Sequence, residues 1–124
     1  MDFDLQSSRP IWQQLSEQLS RRIVTGVYPP GSRFPTVRDL AAEAGVNPNT
    51  MQRAFAELER EGLVLTQRTS GRSVTSEAGL VEEAKRHLAA VAIQTFWVSM
   101  RRLGFQQSEA LRMLSSSGKT EKGE

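Results

Sequence analysis

The sequence predicts a mainly α fold carrying a small β hairpin. Three apolar repeats at helical spacing follow one another in the first half. Two short β-compatible runs around a Ser-Gly turn come next, and a longer helical repeat closes the chain. The first helix starts at Ser8-Arg9-Pro10, with proline tolerated in a first turn. Ile11, Leu15, Leu19 and Ile23 recur every fourth residue with Trp12 beside them, and Gly26 is placed to end the helix. Tyr28-Pro29-Pro30-Gly31-Ser32 must be a loop.

Thr36 to Asp39 has the pattern of a capping box, with Asp39 in place of the usual glutamate. Leu40, Ala41 and Ala44 mark the inner face of this short second helix. A third helix begins with Asn47 as N-cap and Pro48 at its first position, and it stops at Gly62. The turn between the second and third helices is only a few residues long and contains Gly45, the spacing of a helix-turn-helix. Leu63 to Gln67 and Arg72 to Thr75 read as a hairpin joined by Arg68-Thr69-Ser70-Gly71. Three helices and a two-stranded hairpin make a winged helix-turn-helix, expected over residues 1–76.

Composition excludes several function classes. The 124 residues contain no cysteine, which removes disulfides, a thiol nucleophile and cysteine-bound metal. No apolar run approaches the ~18 residues a membrane span needs, and the N-terminal residues lack a basic-then-apolar leader pattern. The expected setting is soluble and cytoplasmic, with no membrane partner. His87 is the single histidine and has no obvious metal or catalytic partner, Glu82 and Glu83 point in different directions on a helix, and PPGSRFP is not a phosphate loop. Neither an enzyme nor a cofactor is expected. The net charge is only +2, so a nucleic-acid partner must be argued from where the charges sit.

Those positions are informative. With about 100° per residue, Met51, Phe55 and Leu58 form one buried stripe, while Asn49, Arg53, Ala56 and Arg60 lie opposite and Thr50 and Gln52 flank that face. Asn and Gln can pair with adenine and Arg with guanine. Glu57, Glu59 and Glu61 sit in the distal turns, where a helix inserted tip-first leaves the phosphates. Arg68 and Arg72 flank the hairpin tip, which carries no acid and suits phosphates or a narrow minor groove. Double-stranded DNA is the expected partner. The reading from another class is a winged-helix protein-interaction module, in which the same residues form an ordinary polar surface.

The stretch GVYPPGSRFPTVRDLAAEAGVNPNTMQRAFAELEREGLVLTQRTSGRSV, residues 26–74, resembles the DNA-binding domain of GntR-family bacterial transcription regulators. VNPNT is similar to the YtrA-type subfamily, which carries a short C-terminal extension. The resemblance implies a sequence-specific regulator, a repressor by default, bound as a homodimer to an inverted repeat. It also implies DNA contacts at Thr36 and Arg38, at Asn47, Asn49, Thr50 and Gln52, and at the wing glycine Gly71. The sequence departs from the common pattern at Pro48 and Gln52, where arginine is usual, and at Thr69, where many members have glycine. Control by a small-molecule effector is open, since no motif names a ligand.

Residues 77–115 are expected to form two helices. Leu80, Ala84, Leu88, Val91, Thr95 and Val98 form one stripe of a long helix, with Ile93, Phe96, Trp97 and Met100 nearly opposite. Gly104 ends it, and Ser108 is the expected cap of a short helix with Leu111 and Leu114 inward. A helix apolar on two sides needs two partners, so Leu88, Val91, Ile93, Phe96, Trp97 and Met100 are expected to meet a second copy of the chain. Residues 116–124 are expected to be a disordered tail.

Overall fold

The computed structural model describes residues 3–122, with the side chains of 118–122 left aside. Its order is α1 (Ile11–Val24), α2 (Val37–Ala44), α3 (Pro48–Arg60), β1 (Val64–Gln67), β2 (Gly71–Val74), α4 (Ala78–Arg102) and α5 (Gln107–Lys122). The chain divides into two compact units, Met1–Leu88 and Ala89–Glu124, with α4 running through the division. The boundary expected after residue 76 lies ahead of α4, whereas the two units divide within it, after Leu88. The cause is local: Val81 and Ala84 at the start of α4 pack on the winged core.

In the first unit the apolar repeats converge. Leu15 and Leu19 of α1, Leu40 of α2, and Met51, Phe55 and Leu58 of α3 are all at most 1% exposed, and Leu63, Val64 and Val74 close the core from the hairpin. Each such side chain contributes roughly 1.5–3 kcal/mol by leaving water. Both expected caps form. The Thr36 hydroxyl accepts from the Asp39 N–H at 3.0 Å, and Asn47 Oδ1 accepts from the Asn49 N–H at 2.7 Å. Gly45 turns the chain between α2 and α3 at φ +68°, in the left-handed region that side chains disfavour.

β1 and β2 pair antiparallel, Val64 opposite Val74 and Gln67 opposite Gly71. The preceding loop also joins this sheet. Phe34 donates its N–H to the Arg72 carbonyl and Val74 donates to the Ser32 carbonyl, each at 2.8 Å, with Arg33 bridged to Ser73. A loop by composition is thus the neighbour that holds the wing. Edge-to-face rings reinforce it, Tyr28 on Phe34 at 5.1 Å and Phe34 on Phe55 at 5.2 Å.

Before α1, residues 4–9 lie along it. Gln14 donates to the Gln6 and Arg9 carbonyls while its Oε1 accepts from the Gln6 N–H, and Gln18 makes the equivalent pair with Asp4. The Arg22 side chain, 4% exposed, pairs with Glu43 at 2.7 Å, donates to the Tyr28 hydroxyl and lies over the Phe3 ring.

In the second unit, the residues expected to face inward on α5 do not. Leu111 and Leu114 are 53% and 45% exposed, whereas Ala110 is buried. Glu109 accepts from the Gln106 N–H and α5 begins at Gln107, so the cap lies two residues before the expected Ser108. The helix also continues through Lys122, across polar residues expected to be without regular structure. Serine, lysine and glutamate tolerate a helix once it is nucleated. Residues 123 and 124 of the expected tail lie outside the described residues.

Candidate nucleic-acid interface

The interface is built on α2, the Gly45 turn, α3 and the wing. At the tip of α3, Asn49, Gln52 and Arg53 are exposed and Thr50 is half-buried. Met51, Ala54, Phe55 and Leu58 are the buried residues of the same helix, so its outer face is polar because its inner face holds the core. Asn47 is exposed, but its Oδ1 is occupied by the cap bond, which leaves its amide N–H groups as the outward donors. Thr36 and Arg38 are exposed at the start of α2, the Thr36 oxygen serving as that helix's cap.

The wing tip presents Arg68, exposed in the turn, and Gly71 at φ +81°. Glycine there tolerates the left-handed backbone on which the short 68–70 loop closes. Arg72 is placed differently from Arg68. Its side chain is 23% exposed, its Nε lies 3.5 Å from Glu59, and its guanidinium stands 5.1 Å from the Phe55 ring centroid. Its Nε is buried without a hydrogen bond. Arg72 thus turns inward against α3, whereas the sequence groups it with the outward wing arginines.

The acids of α3 are likewise engaged. Glu59 accepts from the Thr66 hydroxyl and pairs with Arg72, linking the recognition helix to both wing strands. Glu57 pairs with Arg60, whose hydrogen bond holds the Glu57 carboxyl below its ordinary pKa. Desolvation, with the nearby Glu57 carboxylate as the next contribution, pushes Glu61 above its ordinary range. Charge sign and helical angle reveal that these acids stand away from the tip. They do not reveal that the partners of Glu59 come from the wing.

One further pairing escaped the sequence. Trp12 of α1 lies under the Arg53 guanidinium, 4.3 Å from the ring centroid. Arg33 sits beside the wing through its bridge to Ser73. Of the residues expected at a dimer contact, Leu88 is half-buried and lines a cleft with Trp12, Ser16 and His87. Val91 and Ile93 are 41% and 55% exposed. Phe96, Trp97 and Met100 are half-buried in the second unit, the two rings meeting edge-to-face at 5.1 Å.

A helix-turn-helix whose second helix offers a polar outer face, flanked by a wing with an outward arginine, defines a winged helix-turn-helix DNA-binding protein. The profile described as "Bacterial regulatory proteins, gntR family" matches residues 12–74. The chain is 39% identical over 111 residues to the uncharacterized HTH-type transcriptional regulator YhcF of Bacillus subtilis, covering 90% of this chain and 92% of that protein. It is 38% identical over 78 residues to the HTH-type transcriptional repressor YtrA of Bacillus subtilis, covering 63% of this chain and 60% of that one. A solved GntR family transcriptional regulator from Listeria monocytogenes superimposes with a TM-score of 0.79 at 31% identity, over 90% of this chain and 98% of that chain. The chain belongs to the GntR family of DNA-binding transcriptional regulators, and these relatives are regulators rather than enzymes. No described helix is long and apolar enough to cross a membrane.

Proposed function

We propose that this protein is a cytoplasmic repressor that binds an inverted-repeat operator as a homodimer. The observation that carries the reading is the exposed Asn49–Gln52 tip of α3, donor- and acceptor-rich on a helix whose other face is core. Asn49 and Gln52 read base edges in the major groove, and Thr50, Thr36, Arg38 and the Asn47 amide hold the backbone. Arg68 and Gly71 approach the adjoining groove from the wing. The repressor role follows the relative that bears that description.

The homodimer rests on α4. This helix is 25 residues long and carries no buried residue in the single chain, although Val91, Ile93, Phe96, Trp97 and Met100 are spread along it. A helix with that much uncovered apolar surface is expected to bury it against a copy of itself. Two recognition helices would then lie about 34 Å apart, one DNA turn. A small-molecule effector would act by changing that spacing.

Fluorescence anisotropy tests the reading, using DNA upstream of the protein's own gene, a base-shuffled duplex and two salt concentrations. Tight, salt-sensitive binding to the first duplex that Gln52→Ala or Asn49→Ala weakens is the expected result. Equal binding to both duplexes, unaffected by either substitution, would overturn it.

A further inference from the structure

We infer that Trp12 is a positioning residue that holds Arg53 as a clamp for a backbone phosphate on the α1 flank of the recognition helix. The inference rests on the DNA-binding reading and assigns Arg53 a role different from base recognition.

The geometry separates Arg53 from its neighbours at the tip. Asn49 and Gln52 make no side-chain bond among the described residues, so they are free toward a groove. Arg53 is instead drawn sideways onto α1, its guanidinium 4.3 Å from the centre of the Trp12 ring. A stacked guanidinium keeps its in-plane N–H groups available while losing much of its rotational freedom. No carboxylate among the described residues pairs with it; Glu17, nearby in the same helix as Trp12, bonds Arg9. The result is an exposed, pre-oriented cation between α1 and α3. A helix lying in the major groove has a sugar-phosphate strand along each flank, and α1 packs beside α3 on one of them. A planar fork held there matches two phosphate oxygens better than a base edge at the floor of the groove.

The test combines a DNA-free readout with a double-mutant cycle. In the protein alone, the Arg53 Nε–Hε resonance should be shifted upfield by the indole ring and should move back in Trp12→Leu. With DNA, Trp12→Leu and Arg53→Ala should each weaken binding by about 5–10-fold and lower the salt slope by about one, and the double variant should be no worse than Arg53→Ala alone. Trp12→Phe should restore most of the affinity, which separates ring stacking from general packing. The loss should be equal on operator and shuffled duplexes. Multiplying losses in the double variant, an unshifted Arg53 resonance, or a loss confined to the operator would overturn the clamp. The last outcome would return Arg53 to base reading. A parent protein with no preference for the operator would instead overturn the proposed function, while the clamp would still be measured on the shuffled duplex.

Discussion

Glu59 of α3 and Arg72 of β2 face each other at 3.5 Å, and Glu59 also accepts from Thr66 of β1. One carboxylate therefore ties the recognition helix to both strands of the wing. Both charged side chains are less than a third exposed, so the pair is screened less than a surface bridge. Glu59→Ala is expected to lower stability by about 1 kcal/mol and to weaken DNA binding about threefold, through a looser wing. Chemical denaturation and anisotropy check the two effects. Unchanged values in both would mean that the wing is oriented by its backbone bonds to residues 31–34 alone.

Two glycines in left-handed conformations separate backbone strain from crowding. A Cβ at Gly45, φ +68°, would meet nothing within 4 Å, while one at Gly62, φ +79°, would meet Leu80 Cδ1 at 3.2 Å. Gly45→Ala should cost about 1–2 kcal/mol from conformation alone. Gly62→Ala should cost more, because Leu80 must also shift. Denaturant midpoints of the two variants give the comparison, and a larger loss at Gly45 would contradict it.

Glu61 supplies a pH prediction. Desolvation, and then the Glu57 carboxylate, raise its folded pKa above the ordinary value of 4.5. The folded state therefore binds this proton more tightly than the unfolded chain. The stabilisation from that proton is fully present below the ordinary value and is lost as pH rises through the raised one. Glu61→Gln should flatten this part of the stability profile. Melting temperatures of parent and variant between about pH 4 and about pH 7 test it, since the parent should fall relative to the variant as pH increases. Parallel profiles would remove Glu61 as a contributor.

The dimer proposal gives an interface variant. Ile93 is 55% exposed, and Ile93→Glu would place a carboxylate in the proposed contact. Sedimentation should then show a monomer where the parent is a dimer. Affinity for the inverted repeat should fall on the order of a hundredfold, because the two half-sites are no longer linked. A parent that is already monomeric would remove the proposal.

Much of the winged unit was legible because its signals are local. The stripes of α1 and α3, the Thr36 and Asn47 caps and the Gly45 turn each depend on residues within a few positions of one another. Arg72 was not legible: a basic residue at a hairpin tip reads as outward until Glu59 and Phe55 are known to stand beneath it. The same holds for Trp12 and Arg53, which are far apart in sequence and meet through helix packing. On α5 the failure was one of phase. Ser108 was the more obvious cap, but Gln106 and Glu109 make the bond, and the buried position moved from leucine to Ala110.

The sequence by itself determined the order of helices and strands, the inner face of each helix in the winged unit, the family and the polar tip of α3. Those properties follow from periodicity, caps and short motifs, which need no knowledge of distant neighbours. Tertiary structure alone decided which cations point outward, that the 31–34 loop joins the wing, and that Glu59 serves the wing. An ionisable side chain has several partners of similar energy within reach of its long stem, and only the packing of the core selects which of them is near enough to hold it.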